Sequence, residues 1–97
     1  MDKVFLVYDE YCYEGAECKT IIPCATMEIA IRKVKERLEW YLKNSYLNKF
    51  VDEQLNPIES KLNGCVIWEI DEDSVEIFIS KDTSLNLHIA EENVINE

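Results

Sequence analysis

The alternation of apolar and polar residues predicts strands at both ends of the chain. Residues 4–8 (VFLVY) form a short apolar run, which is typical of a strand buried on both faces and central in its sheet. Glu14 and Gly15 predict a turn, and residues 17–22 then predict a second strand paired antiparallel with the first. Pro23 should end that strand, because proline has no N–H to donate to a sheet.

A helix is the most regular element of the pattern. Thr26 is a typical N-cap, and Glu28 lies in the first turn, where the helix dipole favours a negative charge. Apolar residues then recur at intervals of three and four, at Met27, Ala30, Ile31, Val34, Leu38, Tyr41 and Leu42. We predict a helix over residues 27–44, and its continuation through Tyr46 and Leu47 stays open.

The second half of the chain predicts three more strands. Residues 48–56 favour a short second helix or a continuation of the first, and Pro57 and Asn63-Gly64 mark an end and a turn. Residues 65–70 and 75–80 alternate as strands joined by a turn at 71–74, and a last strand runs from Leu85 toward Val94. The order β-β-α-(α)-β-β-β predicts one α+β domain over residues 1–97. In it, an antiparallel sheet of four to five strands has one long helix packed on one face.

The charge of the chain narrows the class of partner. Ten basic and twenty acidic residues give a net charge of −10, and residues 50–97 hold twelve of the acids with only two bases. Such a charge disfavours direct binding of nucleic acid or of an anionic membrane, and it favours a protein partner with a basic surface. The opening residues lack the pattern of a secretory signal, so we expect a cytoplasmic protein with reduced cysteines.

Motifs for catalysis or for cofactor binding are not apparent in the sequence. The cysteines at 12, 18, 24 and 65 are spaced too widely for a zinc knuckle, although the first hairpin could place Cys12 and Cys18 opposite each other. His88 is the only histidine and falls on the polar face of its predicted strand. We therefore expect no enzyme activity, no metal and no cofactor.

Two hairpins are candidate binding sites. The predicted turn at Asp71, Glu72 and Asp73, with Glu69 and Glu76 on its flanking strands, would offer five carboxylates to a basic partner. Tyr11 and Tyr13 stand among acids at the first hairpin, and tyrosine is enriched in protein interfaces. The simpler interpretations are a solvated turn and core aromatics. Whether Trp40 belongs to the core or to an interface stays open.

Several segments together resemble a loose class of small phage and mobile-element proteins. These segments are the opening KVFLVYDEY, the hairpin, the helix that begins at ATMEIAIRKVKERL, and the close LHIAEENVINE. That class includes anti-CRISPR and other anti-defence inhibitors. The resemblance covers about half of the chain. It implies a phage-encoded inhibitor that binds a host defence effector, in some cases as a mimic of nucleic-acid phosphates, and it assigns no role to a particular residue.

Two other functions remain open on the sequence. One is an immunity or antitoxin protein that neutralises a basic toxin. The other is a nucleotide sponge that uses the basic side of the helix, at Arg32, Lys33, Lys35 and Arg37. The sequence also leaves open whether the protein forms a homodimer.

Overall fold

Five antiparallel strands form one sheet in the computed structural model, which describes residues 2–62 and 66–94. The strands lie in the order β2-β1-β5-β4-β3, and helix α1 packs on one face of the sheet. The elements are β1 (Lys3–Tyr13), β2 (Ala16–Cys24), α1 (Met27–Asn44), β3 (Ile67–Ile70), β4 (Ser74–Ser80) and β5 (Thr83–Asn93). Short 3-10 turns span Tyr46–Phe50 and Glu59–Lys61. The predicted α+β fold is confirmed.

A two-residue turn sets the register of the first hairpin. Glu14 and Gly15 both adopt positive φ, at 52° and 80°, which matches the right-handed twist of the strands they join. The turn pairs Tyr13 with Ala16, so Cys12 lies opposite Glu17 rather than opposite Cys18. The expectation that Cys12 and Cys18 face each other is wrong, because this register pairs each even-numbered residue of β1 with an odd-numbered residue of β2. The two even-numbered cysteines therefore point to opposite faces of the sheet.

Strand β2 continues past Pro23 to Cys24, so the prediction that proline ends it is also wrong. The strand lies at the edge of the sheet, where a residue without an N–H can occupy a position that faces away from the neighbouring strand. Pro23 pairs with Leu6 in the β1–β2 register.

Helix α1 begins and ends at the predicted residues. The Thr26 hydroxyl accepts a hydrogen bond from the Ile29 N–H at 3.2 Å. At the other end Ser45 has an extended backbone, and its hydroxyl accepts from the Leu47 N–H at 3.1 Å. Tyr46 and Leu47 therefore belong to a separate 3-10 turn and do not continue the helix.

The core lies between α1 and the face of the sheet that the helix covers. Its fully buried side chains include Val7, Ala30, Val34, Leu47, Ile77, Leu85 and Leu87. Strand β1 is interior to the sheet, but β5 is the central strand. The prediction that β1 is buried on both faces is wrong, because one helix covers only one face and leaves Val4, Leu6 and Tyr8 half-buried.

The C-terminal strands follow the predicted alternation. The structure describes β3 from Ile67 onward, and β5 ends at Asn93 with Val94 just beyond it. The predicted turn at 63–64 and the start of the third strand at Cys65 fall outside the described residues. No helix in the described ranges combines the length and the apolar character that a membrane crossing requires.

Candidate partner-binding surface

The predicted acidic turn joins β3 to β4. Asp71, Glu72 and Asp73 are all exposed, and the Asp71 N–H donates to the Ser74 carbonyl at 2.8 Å. This hydrogen bond closes the turn. The backbone therefore holds the three carboxylates at the end of the hairpin while leaving their side chains in solvent.

Glu69 and Glu76 lie directly opposite each other on the two strands of the same hairpin. Both are exposed, and both point away from α1, because their neighbours Trp68 and Ile77 point toward the core. Like charges in directly opposed positions destabilise a strand pair. We name the five residues Glu69, Asp71, Glu72, Asp73 and Glu76 the acidic hairpin.

None of the ion pairs found among residues 2–62 and 66–94 involves the acidic hairpin. The cations that do form ion pairs are Lys3, Lys33, Arg37 and Lys43, which contact other acids. The carboxylates of the acidic hairpin are therefore left for solvent or for a partner.

The two tyrosines predicted as binding residues lie on the other face of the sheet. Tyr11 packs against the core, with its ring centroid 4.9 Å from that of Tyr41. Tyr13 is 37% exposed and lies 4.9 Å from the ring of Tyr46. The fold does not bring them together with Glu69 and Glu76, because the sheet separates the two sets.

The face of the sheet opposite α1, here called the open face, extends the acidic hairpin into a wider surface. The strand registers place Glu69, Glu76, Asn86, Glu10 and Lys19 in one row across all five strands. Sequence reasoning missed this row because it depends on the strand order. Glu10 becomes a neighbour of the predicted site only once β5 is known to lie between β1 and β4.

Aromatic and apolar side chains border this row. The rings of Tyr8 and His88 stack at 4.8 Å with an angle of 3° between their planes. His88 also lies 3.1 Å from the Asn86 side-chain oxygen, so it is placed on the polar face as predicted. Ile21, which adjoins Tyr8 in the sheet, is 54% exposed. The open face thus combines acidic groups with uncovered apolar area, a mixture found in protein interfaces.

A buried polar cluster lies on the opposite face, beneath α1. Asp9 is 1% exposed, and its carboxylate accepts hydrogen bonds from Arg37 and from the Tyr41 hydroxyl, the latter at 2.6 Å. Burial, followed by the bond to Asp9, raises the pKa of Tyr41 to about 12. Burial lowers the pKa of Arg37, but its bonds to Asp9 and Tyr41 outweigh that effect and leave the pKa raised.

This cluster was not predicted, although the sequence carried a signal for it. Asp9 has the same parity as Val7 and Tyr11, so it had to point toward the core, where a carboxylate requires partners. Arg37 and Tyr41 lie one helical turn apart on α1 and supply them. We interpret the cluster as the polar contact that positions α1 on β1.

Fewer basic side chains of α1 are free to bind a nucleotide than the sequence suggested. Arg37 turns toward Asp9, and Lys33 pairs with Glu36 at 2.9 Å. The Arg37 guanidinium also lies 5.2 Å from the ring of Trp40, which is 48% exposed. Arg32 and Lys35 form no ion pair among the described residues, so the helix offers two free cations to a nucleotide rather than four.

The described cysteines do not converge on a shared site. Cys24 is buried, Cys18 is exposed, and Cys12 lies on the face opposite Cys18. Within residues 2–62 and 66–94, no group of three or more His, Cys, Asp or Glu side chains is arranged to hold a metal ion. No protein-family model, curated protein or solved structure matches this chain.

Proposed function

We propose that this protein is a non-catalytic inhibitor that binds a basic surface of another protein through the acidic hairpin. The observation that carries the proposal is the direct opposition of Glu69 and Glu76. With Asp71, Glu72 and Asp73 beyond them, this arrangement costs the isolated fold stability, and no cation among the described residues forms an ion pair with these carboxylates. A partner that brings lysine or arginine would remove that repulsion.

The resemblance to anti-defence proteins suggests the kind of partner. A host effector that grips nucleic acid has a groove lined with cations, and exposed carboxylates on a narrow hairpin could occupy that groove in place of phosphates. Charge complementarity of this kind raises the rate of encounter, and charge pairs that become desolvated can add affinity. We therefore propose a phage-encoded inhibitor of a host defence effector such as a CRISPR complex, acting in the cytoplasm of the bacterial host.

The test compares two charge-reversed variants in hosts that carry CRISPR systems. One variant carries Asp71→Lys, Glu72→Lys and Asp73→Lys. The control carries Glu53→Lys, Glu59→Lys and Glu92→Lys, three exposed acids outside the acidic hairpin that give the same change in net charge. Phage plaquing measures inhibition, and co-precipitation with the effector measures binding.

We expect the acidic-hairpin variant to bind roughly ten-fold more weakly or worse, and the control to stay within about three-fold of wild type. Affinity of the wild type should fall as salt rises. If both variants inhibit as wild type does, the acidic hairpin is only a solvated turn. If wild type leaves immunity unchanged in every system tested, the proposed class of target is wrong.

A further inference from the structure

No strand among residues 2–62 and 66–94 pairs with the outer edge of β2. The strand is the first in the order β2-β1-β5-β4-β3, and residues 16–21 are all exposed. Edge strands present a row of free N–H and C=O groups that can pair with another strand. The identity of the residues along this row determines what can pair with it.

The register shows which backbone groups face outward. Tyr13 and Ala16 flank the two-residue turn and so exchange hydrogen bonds, and such pairs recur at every second residue. A separate contact gives the same assignment: the Val94 N–H donates to the Asp2 carbonyl at 2.9 Å. The backbone N–H and C=O groups of the even-numbered residues of β1 therefore face β5, and those of the odd-numbered residues face β2. The outward set on β2 is therefore Glu17, Lys19, Ile21 and Pro23.

We propose that this edge pairs with the same edge of a second copy of the chain, antiparallel, about a two-fold axis at Cys18. In this register Glu17 lies opposite Lys19 of the second copy, and Lys19 lies opposite Glu17 of the second copy. Both residues direct backbone N–H and C=O groups outward, so each pair exchanges two hydrogen bonds while its side chains bring opposite charges together. The two sheets become one.

Charge and proline select this register over its neighbours. An axis at Lys19 would set Lys19 opposite itself, and an axis at Glu17 would set Glu17 opposite itself. An axis at Thr20 or Ile21 would bring Pro23 opposite Glu17 or Lys19, where it has no N–H to donate. Only the axis at Cys18 pairs opposite charges and leaves Pro23 outside the overlap, and self-complementarity of this kind defines a two-fold interface.

The first test measures mass by sedimentation equilibrium in reducing buffer. Pairing along one short edge is a small interface, so we expect wild type to dimerise with a Kd of roughly 10 µM to 1 mM. Lys19→Glu or Glu17→Lys should each weaken the dimer ten-fold or more, because each places like charges opposite each other. The double variant Glu17→Lys/Lys19→Glu should dimerise as wild type does.

Two outcomes of that measurement would overturn the proposal. The first is that wild type stays monomeric at protein concentrations up to about 1 mM, because the expected Kd predicts a substantial fraction of dimer at that concentration. The other is a double variant that stays as weak as the single ones, since exchanging the two charges preserves both pairs in the proposed register.

A proline variant tests the outward backbone hydrogen bonds of the edge. Lys19→Pro removes an outward N–H and leaves the hydrogen bonds to β1 in place, so the variant should keep its circular dichroism spectrum and become monomeric. Thr20→Pro is the comparison, because its N–H points to β1 and its loss should destabilise the fold. A folded Lys19→Pro variant that dimerises as wild type does would contradict the proposal.

Formation of a disulfide between the two copies of Cys18 tests the proposed register of the dimer. At the proposed axis Cys18 and its copy form a non-hydrogen-bonded pair with Cα atoms about 4.5 Å apart, within the range of about 4.4–6.8 Å that a disulfide spans. In a variant with the other cysteines changed to serine, diamide should oxidise the two thiols to an intermolecular disulfide and itself be reduced. Adding Lys19→Glu should slow the reaction at least ten-fold. An equal rate would mean random collision and would contradict the register.

Discussion

Asp9 joins β1 to α1 through a buried polar contact. Its carboxylate is buried, and its partners Arg37 and Tyr41 both come from the helix. A buried charge with partners contributes little net stability compared with an apolar pair, but removing one partner leaves the other charge without compensation. Replacing one member of the cluster should therefore lower stability strongly, whereas replacing Asp9 and Arg37 together by apolar residues should lower it little.

We predict that Arg37→Met lowers the free energy of unfolding by up to about 3 kcal/mol, because it removes the counter-ion of the buried Asp9 carboxylate and leaves only the Tyr41 hydroxyl to bond it. The double variant Asp9→Leu/Arg37→Met should recover most of that loss. Urea denaturation measures both. Lys33→Met is the control, since Lys33 forms only an exposed pair with Glu36, and its cost should be below about 1 kcal/mol. Equal losses in the single and double Arg37 variants would contradict the interpretation.

Tyr41 gives the cluster a dependence on alkaline pH. Its pKa is raised to about 12, whereas an unfolded tyrosine titrates near about 10. The folded state therefore favours the protonated phenol, and this stabilisation is present below pH 10 and is lost as the pH rises toward 12. Urea unfolding of wild type and Tyr41→Phe should show the advantage of wild type shrinking above about pH 10. A constant difference from pH 8 to 11.5 would contradict the proposed role of the phenol.

At the scale of elements, the opposed acids of the β3–β4 hairpin lower the stability of the fold and create an acidic surface. Glu69→Lys would place a cation opposite Glu76 in that hairpin. We predict a gain of about 0.5–1 kcal/mol in unfolding free energy, because a repulsive cross-strand pair becomes attractive. The same variant should bind the proposed partner more weakly. Glu53→Lys, at an exposed position outside the sheet, should change stability by less than about 0.5 kcal/mol. A loss of stability in Glu69→Lys would remove the main support for the proposed function.

The elements differ in how well the sequence predicts them, for physical reasons. The bounds of α1 follow from its cap and its apolar spacing, both of which are local signals. The errors concern relations between strands: Pro23 is tolerated only because β2 lies at an edge, and β1 is half-covered only because a single helix is available. The acidic hairpin could be found because its residues are contiguous, whereas Arg37 lies 28 residues from Asp9.

At the scale of the whole molecule, the strand order separates the two proposed interfaces. The molecule is elongated, with extents of 53 × 27 × 21 Å, and β2 and β3 are the opposite edges of its sheet. Pairing through β2 would therefore leave the acidic hairpin of each copy free at the outer edges. A dimer could engage two basic sites on one target, and its avidity would exceed the affinity of one hairpin if the sites are suitably spaced.

The open face has a consequence for the behaviour of the protein in bulk solution. Glu10, Glu69 and Glu76 share that face with the half-exposed rings of Tyr8 and Phe78, so mutual repulsion between molecules keeps apolar surfaces apart. As acid protonates the carboxylates, the net charge approaches zero at the isoelectric point near pH 4.5. The net negative charge of the molecule would then no longer keep molecules dispersed, and the protein should be least soluble in buffers near pH 4.5, where the open faces of two molecules can stack.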